Sequence, residues 1–415
     1  MPAAIQQIQG WQIARKKIPS WAAVEGIVYP PHLNMEQCSS EQTARYKADI
    51  AGGGQRLVDL TGGFGIDFAF MSQRFKEAVY VEQNPQLCAI SSKNFELLGL
   101  RNTEVVCADC CDYLKQMEPA TTIYIDPARR DTGGKRTYAI ADCTPNIIDL
   151  LPLMLQKSDN ILIKLSPMLD WHKAVEDLRQ VTDGHGSVNS VNIIGVGNEC
   201  KELLIEIAPS PSGERLRVGA SAGMGNGGAS SARDGAGEGL LQLCLKTDNG
   251  DFTFYPFRPD DPSAINVDVN VSVNSQFFSS PSGRSGGAYA EPDDFVYLYE
   301  PHAVYMKAGH FEKIFGHNHP GLKIVSKDSH LLVSRSIPVE ADGRVFRITG
   351  MSSLNKHDLK RHLAHLTRAN ISVRNFPLTA EQLRKRLKLK DGGDDYIFGT
   401  TLKDGSHVII VCKKI

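Results

Sequence analysis

The chain has 415 residues, of which 41% are hydrophobic and 22% are charged, and this ordinary globular composition excludes a protein that is disordered throughout. With 46 Lys/Arg against 47 Asp/Glu the formal net charge is −1, which excludes a protein that is basic over its whole length. The charge is nevertheless uneven, because residues 344–415 contain 15 Lys/Arg and 6 Asp/Glu and carry +9, which leaves −10 for the rest. This asymmetry predicts a basic C-terminal module that binds a polyanion, attached to an acidic body.

The cysteine pattern and the N-terminal sequence indicate the cellular compartment. The nine cysteines follow neither a disulfide framework nor a paired CxxC metal-site spacing, so we expect reduced thiols in a cytoplasmic protein. The N-terminal MPAAIQQIQGWQIARKK lacks the order of a secretory signal peptide. The longest apolar run, Ile147–Leu155, is interrupted by Asp149 and Pro152, so no membrane span is predicted.

Residues 1–52 are predicted to form an N-terminal helical segment. The proline-containing stretch Tyr29–Met35 predicts an extended break. Ser39 and Gln42 have the spacing of a capping box that opens a helix ending at Ala51.

Short β-branched runs alternate with helix-length segments from Arg56 onward. The predicted strands are Leu57–Leu60, Ala78–Val81, Glu104–Cys107, Thr122–Ile125, Asn160–Leu165, Val191–Val196 and Glu202–Ala208. The first five are nearly continuous apolar runs, as in strands buried on both faces, and this alternation predicts an α/β fold with a Rossmann-like, doubly wound parallel sheet. The last two are close in sequence and predict an antiparallel hairpin that closes the sheet.

The rest of the chain is predicted to hold a hairpin, two flexible insertions and a small α+β unit. Residues 209–292 combine the hairpin with Gly/Ser-rich stretches at 209–239 and 278–290, whose composition is typical of flexible segments. Residues 293–340 follow a strand–helix–strand order. Residues 341–415 alternate strands and helices and end in a hairpin.

The clearest site motif is Val58–Asp67, VDLTGGFGID, which follows a predicted strand and opens a helix. Glycines at this place permit a tight turn and bring backbone amides close to a ligand, and the helix N-terminus favours an anionic group. Glu82, Asp109 and Asp126 lie at the ends of neighbouring strands. Because ligands of open α/β sheets bind outside the carboxyl ends of the strands, we expect these acids to face one crevice. A plain tight turn, with each acid capping a helix or ending a strand in solvent, is the alternative interpretation.

The charge of this crevice distinguishes two cofactors. A dinucleotide brings an anionic pyrophosphate, which Asp59, Asp109 and Asp126 would repel. S-adenosylmethionine has no phosphate and carries a sulfonium cation. Its carboxylate would lie on the amides of the glycine turn, its ribose on Glu82 and its adenine amino group on Asp109. The residues predicted to bind S-adenosylmethionine are Asp59, Thr61, Gly62, Gly63, Gly65, Glu82, Asp109 and Cys110.

The order and spacing of these segments resemble class I S-adenosylmethionine-dependent methyltransferases over Arg56–Ala208. A narrower resemblance is to the bacterial THUMP-like-domain methyltransferases, and it is carried by EQCSSEQTARYKA (Glu36–Ala48), VDLTGGFGID, IYIDPARR and the basic C-terminal unit. This resemblance implies methyl transfer to RNA, either tRNA or rRNA. It also implies a methyltransferase domain at 53–208, a ferredoxin-like segment at 293–340 and a THUMP-like, RNA-binding domain at 341–415.

The segment Asp126–Arg130, DPARR, occupies the fourth-motif position of the resemblance. In amino-directed nucleic-acid methyltransferases this place holds Asp-Pro-Pro-aromatic, whose carboxylate orients the target amine and whose ring stacks on the flipped base. The second proline and the ring are replaced here, although an Arg plane also stacks on a base or binds phosphate. Asp126, Pro127 and Arg129 are the predicted catalytic residues, with Asp126 as the orienting group and base. The alternative is that the arginines are surface charges on a loop.

Two further chemistries are disfavoured by the residues present. Carbon-5 methylation of a pyrimidine needs a nucleophilic cysteine after the next strand, and Lys164–Pro167 contains none. The histidines near the GHNHP motif (Gly316–Pro320) lack Cys or acidic partners at ligand spacing, so no metal is predicted.

The C-terminal cations form the predicted RNA-binding surface. These residues are Lys356, Lys360, Arg361, Arg368, Arg384, Lys385, Arg386 and Lys388. On the predicted helix Asn355–Arg368, leucines share one face and lysines another, so a merely solvated helix face is the alternative.

Two other functions stay open at this stage. A non-catalytic RNA-binding protein on a methyltransferase scaffold is compatible with the altered DPAR motif. An NAD-dependent oxidoreductase would need a second nucleotide-binding half and a general acid, and the sequence shows neither.

Overall fold

The computed structural model describes residues 2–129, 140–210, 241–246, 252–257, 289–309, 321–338 and 343–415. The chain divides into two compact units: Met1–Ile194 with Lys201–Cys244 and Phe254–Asn266, and Gly195–Cys200 with Leu245–Thr253 and Val267–Ile415. Within the described ranges, no helix is both long and apolar enough to cross a membrane. Most of the two predicted Gly/Ser-rich insertions and the whole GHNHP motif lie outside the described residues.

Four helices precede the first sheet: α1 (Pro2–Lys17), α2 (Pro19–Ala22), α3 (His32–Gln37) and α4 (Glu41–Ala51). The predicted extended break is too long, because α3 begins directly after its N-cap Pro31. The predicted capping box is also wrong. Ser40 is the N-cap of α4 and accepts a hydrogen bond from the Thr43 amide at 3.2 Å, whereas the Ser39 hydroxyl is buried against charged side chains.

The first unit is built on a nine-stranded sheet. The strands in this part of the chain are β1 (Gly54–Asp59), β2 (Phe75–Glu82), β3 (Thr103–Cys107), β4 (Ala120–Ile125), β5 (Ala128–Arg129), β6 (Cys143–Thr144), β7 (Ser158–Leu165), β8 (Gly186–Val196), β9 (Glu199–Pro209), β10 (Leu241–Lys246) and β11 (Phe252–Phe257). All of them except β5 and β6 belong to the sheet. The order is β11-β10-β8-β9-β7-β4-β1-β2-β3, and β5 and β6 form a separate pair. Strands β3, β2, β1, β4 and β7 are parallel neighbours, and β9 runs antiparallel to β7. The predicted parallel sheet is therefore present.

Two predicted features of this sheet are corrected. Strand β3 is not buried on both faces, because it is the edge strand and all five of its residues are partly or fully exposed. The β8–β9 pair does not close the sheet, since β10 and β11 continue it beyond β8.

Helices follow the parallel strands and cover the sheet: α5 (Ile66–Ser72), α6 (Pro85–Leu97), α7 (Cys110–Gln116), α8 (Ile147–Lys157) and α9 (Trp171–Thr182). Every residue of α5 is buried, and α5 packs against α4. The rings of Phe68, Tyr80 and Phe95 lie 5.1–5.6 Å apart and join α5, β2 and α6. Aromatic pairs at this spacing add to the stabilisation from buried area, so the start of α5 is held firmly on the sheet.

The second unit contains a seven-stranded sheet. It is made of β12 (Tyr297–Pro301), β13 (Lys323–Ile324), β14 (Leu332–Ser334), β15 (Gly343–Ser353), β16 (Asn370–Arg374), β17 (Asp395–Thr401) and β18 (His407–Lys414), with helices α10 (Ala303–Ala308), α11 (Lys356–Leu363) and α12 (Ala380–Leu387). The order is β13-β14-β12-β15-β18-β17-β16. Strand β12 of the predicted ferredoxin-like segment pairs with β15 of the predicted THUMP-like domain, so the two regions share one sheet.

Alternation along the final hairpin separates two cores. Phe398 and Ile410 belong to one apolar cluster, whereas their neighbours Ile397 and Ile409 belong to the other. This is the period of two that a strand buried on both faces requires. The second cluster includes the apolar sides of α11 and α12, which leaves their basic sides exposed.

Candidate functional site

The turn between β1 and α5 depends on its glycines. Gly63 and Gly65 have φ values of +58° and +80°, in the left-handed region that favours glycine. A Cβ on Gly62 would lie 2.1 Å from a ring carbon of Tyr80. The predicted tight turn is therefore imposed both by backbone conformation and by packing.

Glu82 points at this turn from the end of β2. Its Oε2 accepts a hydrogen bond from the Gly63 amide at 2.9 Å, and its Oε1 accepts one from the Asn84 amide at 2.8 Å. One of the turn amides that the sequence assigned to the cofactor thus contacts Glu82. Each carboxylate oxygen accepts more than one hydrogen bond, so Glu82 retains capacity for a ligand.

Asp109 has two structural roles. Its Oδ1 accepts hydrogen bonds from the Cys111 and Asp112 amides at 2.8 and 3.2 Å, so it is the N-cap of α7. It also lines, with Glu82, a cavity of about 400 Å³ outside the carboxyl ends of β1, β2 and β3. The helix-cap interpretation and the crevice interpretation of Asp109 are therefore compatible.

The neighbouring thiols of Cys110 and Cys111 also line this cavity, with their Sγ atoms 3.8 Å apart. Burial, together with the adjacent Cys111, raises the pKa of the Cys110 thiol to about 12. Cys110 therefore contributes a neutral, apolar part of the cavity wall.

A second cavity of about 140 Å³ adjoins the glycine turn. Its wall includes Asp59, Thr61, Gly62, Gly63, Gly65 and Asp126, together with residues of α3 and α5. Thr61 lines both cavities. Its amide donates to Asp59 Oδ1 at 3.0 Å, and its Oγ1 accepts from the Asp126 amide at 2.6 Å, so this threonine joins the ends of β1 and β4.

The acids of the second cavity are held in unusual electrostatic conditions. Asp59 is 1% exposed, and burial raises its pKa well above its ordinary value, with Asp67 and Asp126 adding to the increase. The walls of the crevice desolvate Asp126 and raise its pKa, and the ammonium group of Lys164 offsets part of that increase. Perturbed carboxylates that line a cavity are typical of functional sites.

A buried charge network adjoins this cavity, with Asp67 and Lys164 in the cavity wall, and sequence reasoning missed it. Lys47 is fully buried and forms ion pairs with Glu202 and, at 3.1 Å, with Asp67. Lys164 lies 2.6 Å from Asp126 Oδ2 and 3.8 Å from Asp67 Oδ2. A sequence signal existed, because Lys164 interrupts the apolar run of β7, but no pattern identified its partners.

The ion pairs of the network shift the pKa values of its acids and of Lys164. Burial alone would raise the pKa of Asp67 and Glu202, but Lys47 and Lys164 hold both pKa values below the ordinary range. Burial alone would lower the pKa of Lys164, but the carboxylates of Asp126, Glu202 and Asp67 raise it. The network therefore favours the charged forms of Lys164, Asp67 and Glu202.

The other two predicted catalytic residues lie within three positions after Asp126. Pro127 is buried, and Arg129 belongs to β5, whose backbone pairs with β6. Arg130 lies outside the described residues.

The predicted RNA-binding cations are found on and around α11 and α12. Arg384 pairs with Asp391, Lys385 lies 2.9 Å from Glu381, and Arg386 donates to the Leu354 carbonyl at 3.2 Å. The other five are exposed and have no acidic partner within the described ranges; they are Lys356, Lys360, Arg361, Arg368 and Lys388.

Comparison with known proteins identifies both units. A family model described as THUMP domain-like matches residues 343–414. The crystal structure of a candidate methyltransferase from Porphyromonas gingivalis W83 matches 99% of this chain and 90% of its own, at 28% sequence identity and a TM-score of 0.73. The chain has a methyltransferase fold with a THUMP-like C-terminal domain. The predictions of a class I methyltransferase fold and of a THUMP-like domain are thereby confirmed.

Other solved structures match a smaller share of this chain. M. capricolum TrmK, in complex with S-adenosylhomocysteine, matches 42% of this chain and 72% of its own, at 16% identity and a TM-score of 0.32. An rRNA methylase from Streptococcus thermophilus matches 41% of this chain and 96% of its own, at 14% identity and a TM-score of 0.31. No curated protein matches the sequence.

Proposed function

We propose that this protein is an S-adenosylmethionine-dependent methyltransferase that modifies a nucleotide in structured RNA, either tRNA or rRNA. The observation that carries the proposal is the placement of Glu82, Asp109 and Asp126 around two adjoining cavities that meet at Thr61. Two of these acids lie on one cavity and the third on the other, so a cofactor and an acceptor have separate places.

The larger cavity suits S-adenosylmethionine. A volume of about 400 Å³ is within the range of small-molecule sites. Glu82 and Asp109 offer carboxylate oxygens to the ribose hydroxyls and the adenine amino group. The acids around the turn disfavour a diphosphate and favour a sulfonium cation, which argues against NAD.

The smaller cavity is lined by the glycine turn as well as by Asp126, so it suits the methionine end of the cofactor at the turn and the acceptor at Asp126. When bound, S-adenosylmethionine supplies a methyl group that its positive sulfur has already activated. The protein needs only to align the acceptor, exclude water and take up a proton. Asp126 lies beside the glycine turn with its side chain 37% exposed, so it orients the acceptor and serves as the base.

The C-terminal domain supplies the affinity for RNA. Five exposed cations without acidic partners in the described part of the chain lie on and around two helices of a net-positive unit. Contacts of this kind neutralise phosphates and position a nucleic acid without reading its sequence.

The decisive test is transfer of a tritiated methyl group to total RNA from a strain that lacks the protein, followed by nucleoside mass spectrometry. We expect one methylated nucleoside to form, which is absent from the deletion strain and present in the parent strain. Binding of S-adenosylmethionine by calorimetry without transfer to any RNA fraction would instead support a non-catalytic RNA-binding protein.

Glu82→Gln is expected to weaken binding of S-adenosylhomocysteine by about tenfold, because a neutral amide accepts weaker hydrogen bonds than a carboxylate. Isothermal titration calorimetry measures the change. Glu77→Gln, on the exposed part of the same strand, is the matched control and should leave affinity unchanged. Equal affinity of wild type and Glu82→Gln would contradict the cofactor assignment.

Reversal of Lys356, Lys360 and Arg361 to glutamate should weaken RNA binding by about tenfold or more at about 0.1 M salt and flatten its salt dependence. Fluorescence anisotropy over a salt series measures both effects. The control reverses three exposed cations of the first unit, Lys76, Lys93 and Arg101, with the same change in net charge. An equal loss in both variants would show that net charge, and not this surface, governs binding.

A further inference from the structure

A lysine contacts the proposed catalytic carboxylate from the neighbouring strand. Strands β4 and β7 are parallel, and Ile125 lies opposite Ile163, so the following residues Asp126 and Lys164 lie at the same level. Lys164 Nζ lies 2.6 Å from Asp126 Oδ2, and its side chain is only 11% exposed. A short, charge-assisted hydrogen bond of this kind fixes the orientation of the carboxylate.

The two oxygens of Asp126 have different surroundings. Oδ2 is held by Lys164, whereas no described residue donates a hydrogen bond to Oδ1. The side chain is 37% exposed and lines the smaller cavity. One oxygen is therefore anchored, and the other is available to a ligand.

Lys164 is itself held in place by the buried network. It lies 3.8 Å from Asp67, whose Oδ2 also accepts hydrogen bonds from Tyr124 and Ser39 at 2.8 Å each. Lys47 differs from Lys164, because it pairs with Asp67 and Glu202 but not with Asp126. The two lysines thus have different partners. Lys47 compensates the buried charges of Asp67 and Glu202, and Lys164 contacts Asp126 at the cavity.

We propose that Lys164 is a positioning residue for methyl transfer: it keeps Asp126 ionised and oriented through Oδ2 and leaves Oδ1 for a proton carried by the acceptor atom. This inference rests on the proposed function. As the acceptor's lone pair forms a bond to the methyl carbon and the carbon–sulfur electron pair passes to sulfur, the acceptor's proton passes to Oδ1. The acceptor is therefore an atom that bears hydrogen, as in an exocyclic amine or a hydroxyl group.

The charge balance around Asp126 favours this role. The groups that face it from the packed elements are Lys164 on β7, Lys47 on α4, Asp67 on α5 and Asp59 on β1. The walls of the crevice and the two acids raise the pKa of Asp126, and Lys164 is the cation in direct contact that opposes them. Loss of Lys164 would therefore raise the pKa of Asp126 further and disfavour the ionised form that accepts a proton.

The test compares wild type with Lys164→Met, Lys164→Gln and Lys164→Arg as full-length protein. The pKa of Asp126 is read from ¹³C-carboxyl NMR of aspartate-labelled protein, with its resonance assigned by its loss in Asp126→Asn. We expect the methionine and glutamine variants to raise the pKa of Asp126 by about one unit or more and to move the acidic limb of the single-turnover rate to higher pH. Lys164→Arg keeps the charge and should restore both values.

The outcomes separate the inference from the proposed function. An Asp126 pKa that is unchanged in both uncharged variants would overturn the inference, as would loss of S-adenosylhomocysteine binding in those variants, which would make Lys164 a cofactor ligand. The use of two uncharged variants guards against a packing defect in either one. A product methylated at an atom without hydrogen, such as N7 of guanosine, would also overturn it. Failure of the wild type to methylate any RNA, with the pKa shift observed, would count against the proposed function alone.

Discussion

Asp126→Asn is expected to slow methyl transfer by at least about a hundredfold, since it removes the proposed base and leaves an amide in its place. Binding of S-adenosylhomocysteine should change little, because Asp126 does not line the larger cavity. Single-turnover transfer measures the first effect, and calorimetry measures the second.

The control for Asp126→Asn is Glu118→Gln, which makes the same carboxylate-to-amide change at an exposed position before β4. It should transfer methyl groups at the wild-type rate. Retention of more than about half of the rate in Asp126→Asn would show that Asp126 is not the base for methyl transfer.

Lys47→Met is expected to destabilise the protein by about 3–5 kcal/mol, because it leaves the buried carboxylates of Asp67 and Glu202 with less compensating charge. Urea denaturation followed by circular dichroism measures the loss. Lys93→Met, on the exposed side of α6, is the matched control and should stay within about 0.5 kcal/mol of wild type.

The loss in Lys47→Met should also depend on pH. In wild type the pKa values of Asp67 and Glu202 lie below the ordinary range, so the stability they contribute is present above their unfolded-state pKa and is lost as the pH falls through the lower folded-state pKa. In the variant these carboxyls hold their protons more tightly, and protonation relieves the uncompensated charge. The difference between variant and wild type should therefore shrink from pH 7.5 to about pH 4. A difference that is independent of pH would show that packing, and not charge, explains the loss.

The elements around the glycine turn were predictable because their signals are local. A strand that ends in a glycine-rich turn before a helix is visible in VDLTGGFGID, and the structure has β1, the turn and α5 at that place. The acids Glu82, Asp109 and Asp126 were found by their positions at strand ends. Parallel strands present their carboxyl ends at one edge, so the alternation pattern placed the three acids at that edge. They do not share one crevice, because Glu82 and Asp109 line the larger cavity and Asp126 lines the smaller one.

Some predictions were wrong because a local sequence pattern is compatible with two structures. Ser39 and Ser40 both precede a helix, and the sequence pattern selected the wrong one as the N-cap. The apolar run of β3 resembles a central strand, although it lies at the edge of the sheet. The extension of the sheet by β10 and β11 was missed because the pairing partner β8 is separated from β10 by a long insertion.

The sequence by itself determined the alternating fold, the glycine turn, the strand-end acids and the basic C-terminal unit, because each depends on spacing within a few residues or on composition. Only the tertiary structure decided which buried charges meet. Lys47 and Glu202 are 155 positions apart, and Lys164 and Asp126 are 38 apart, so no local period records their contact. The physical reason is that ion pairing depends on distance in space and on exclusion of water, and both are set only when α4, β4, β7 and β9 pack together.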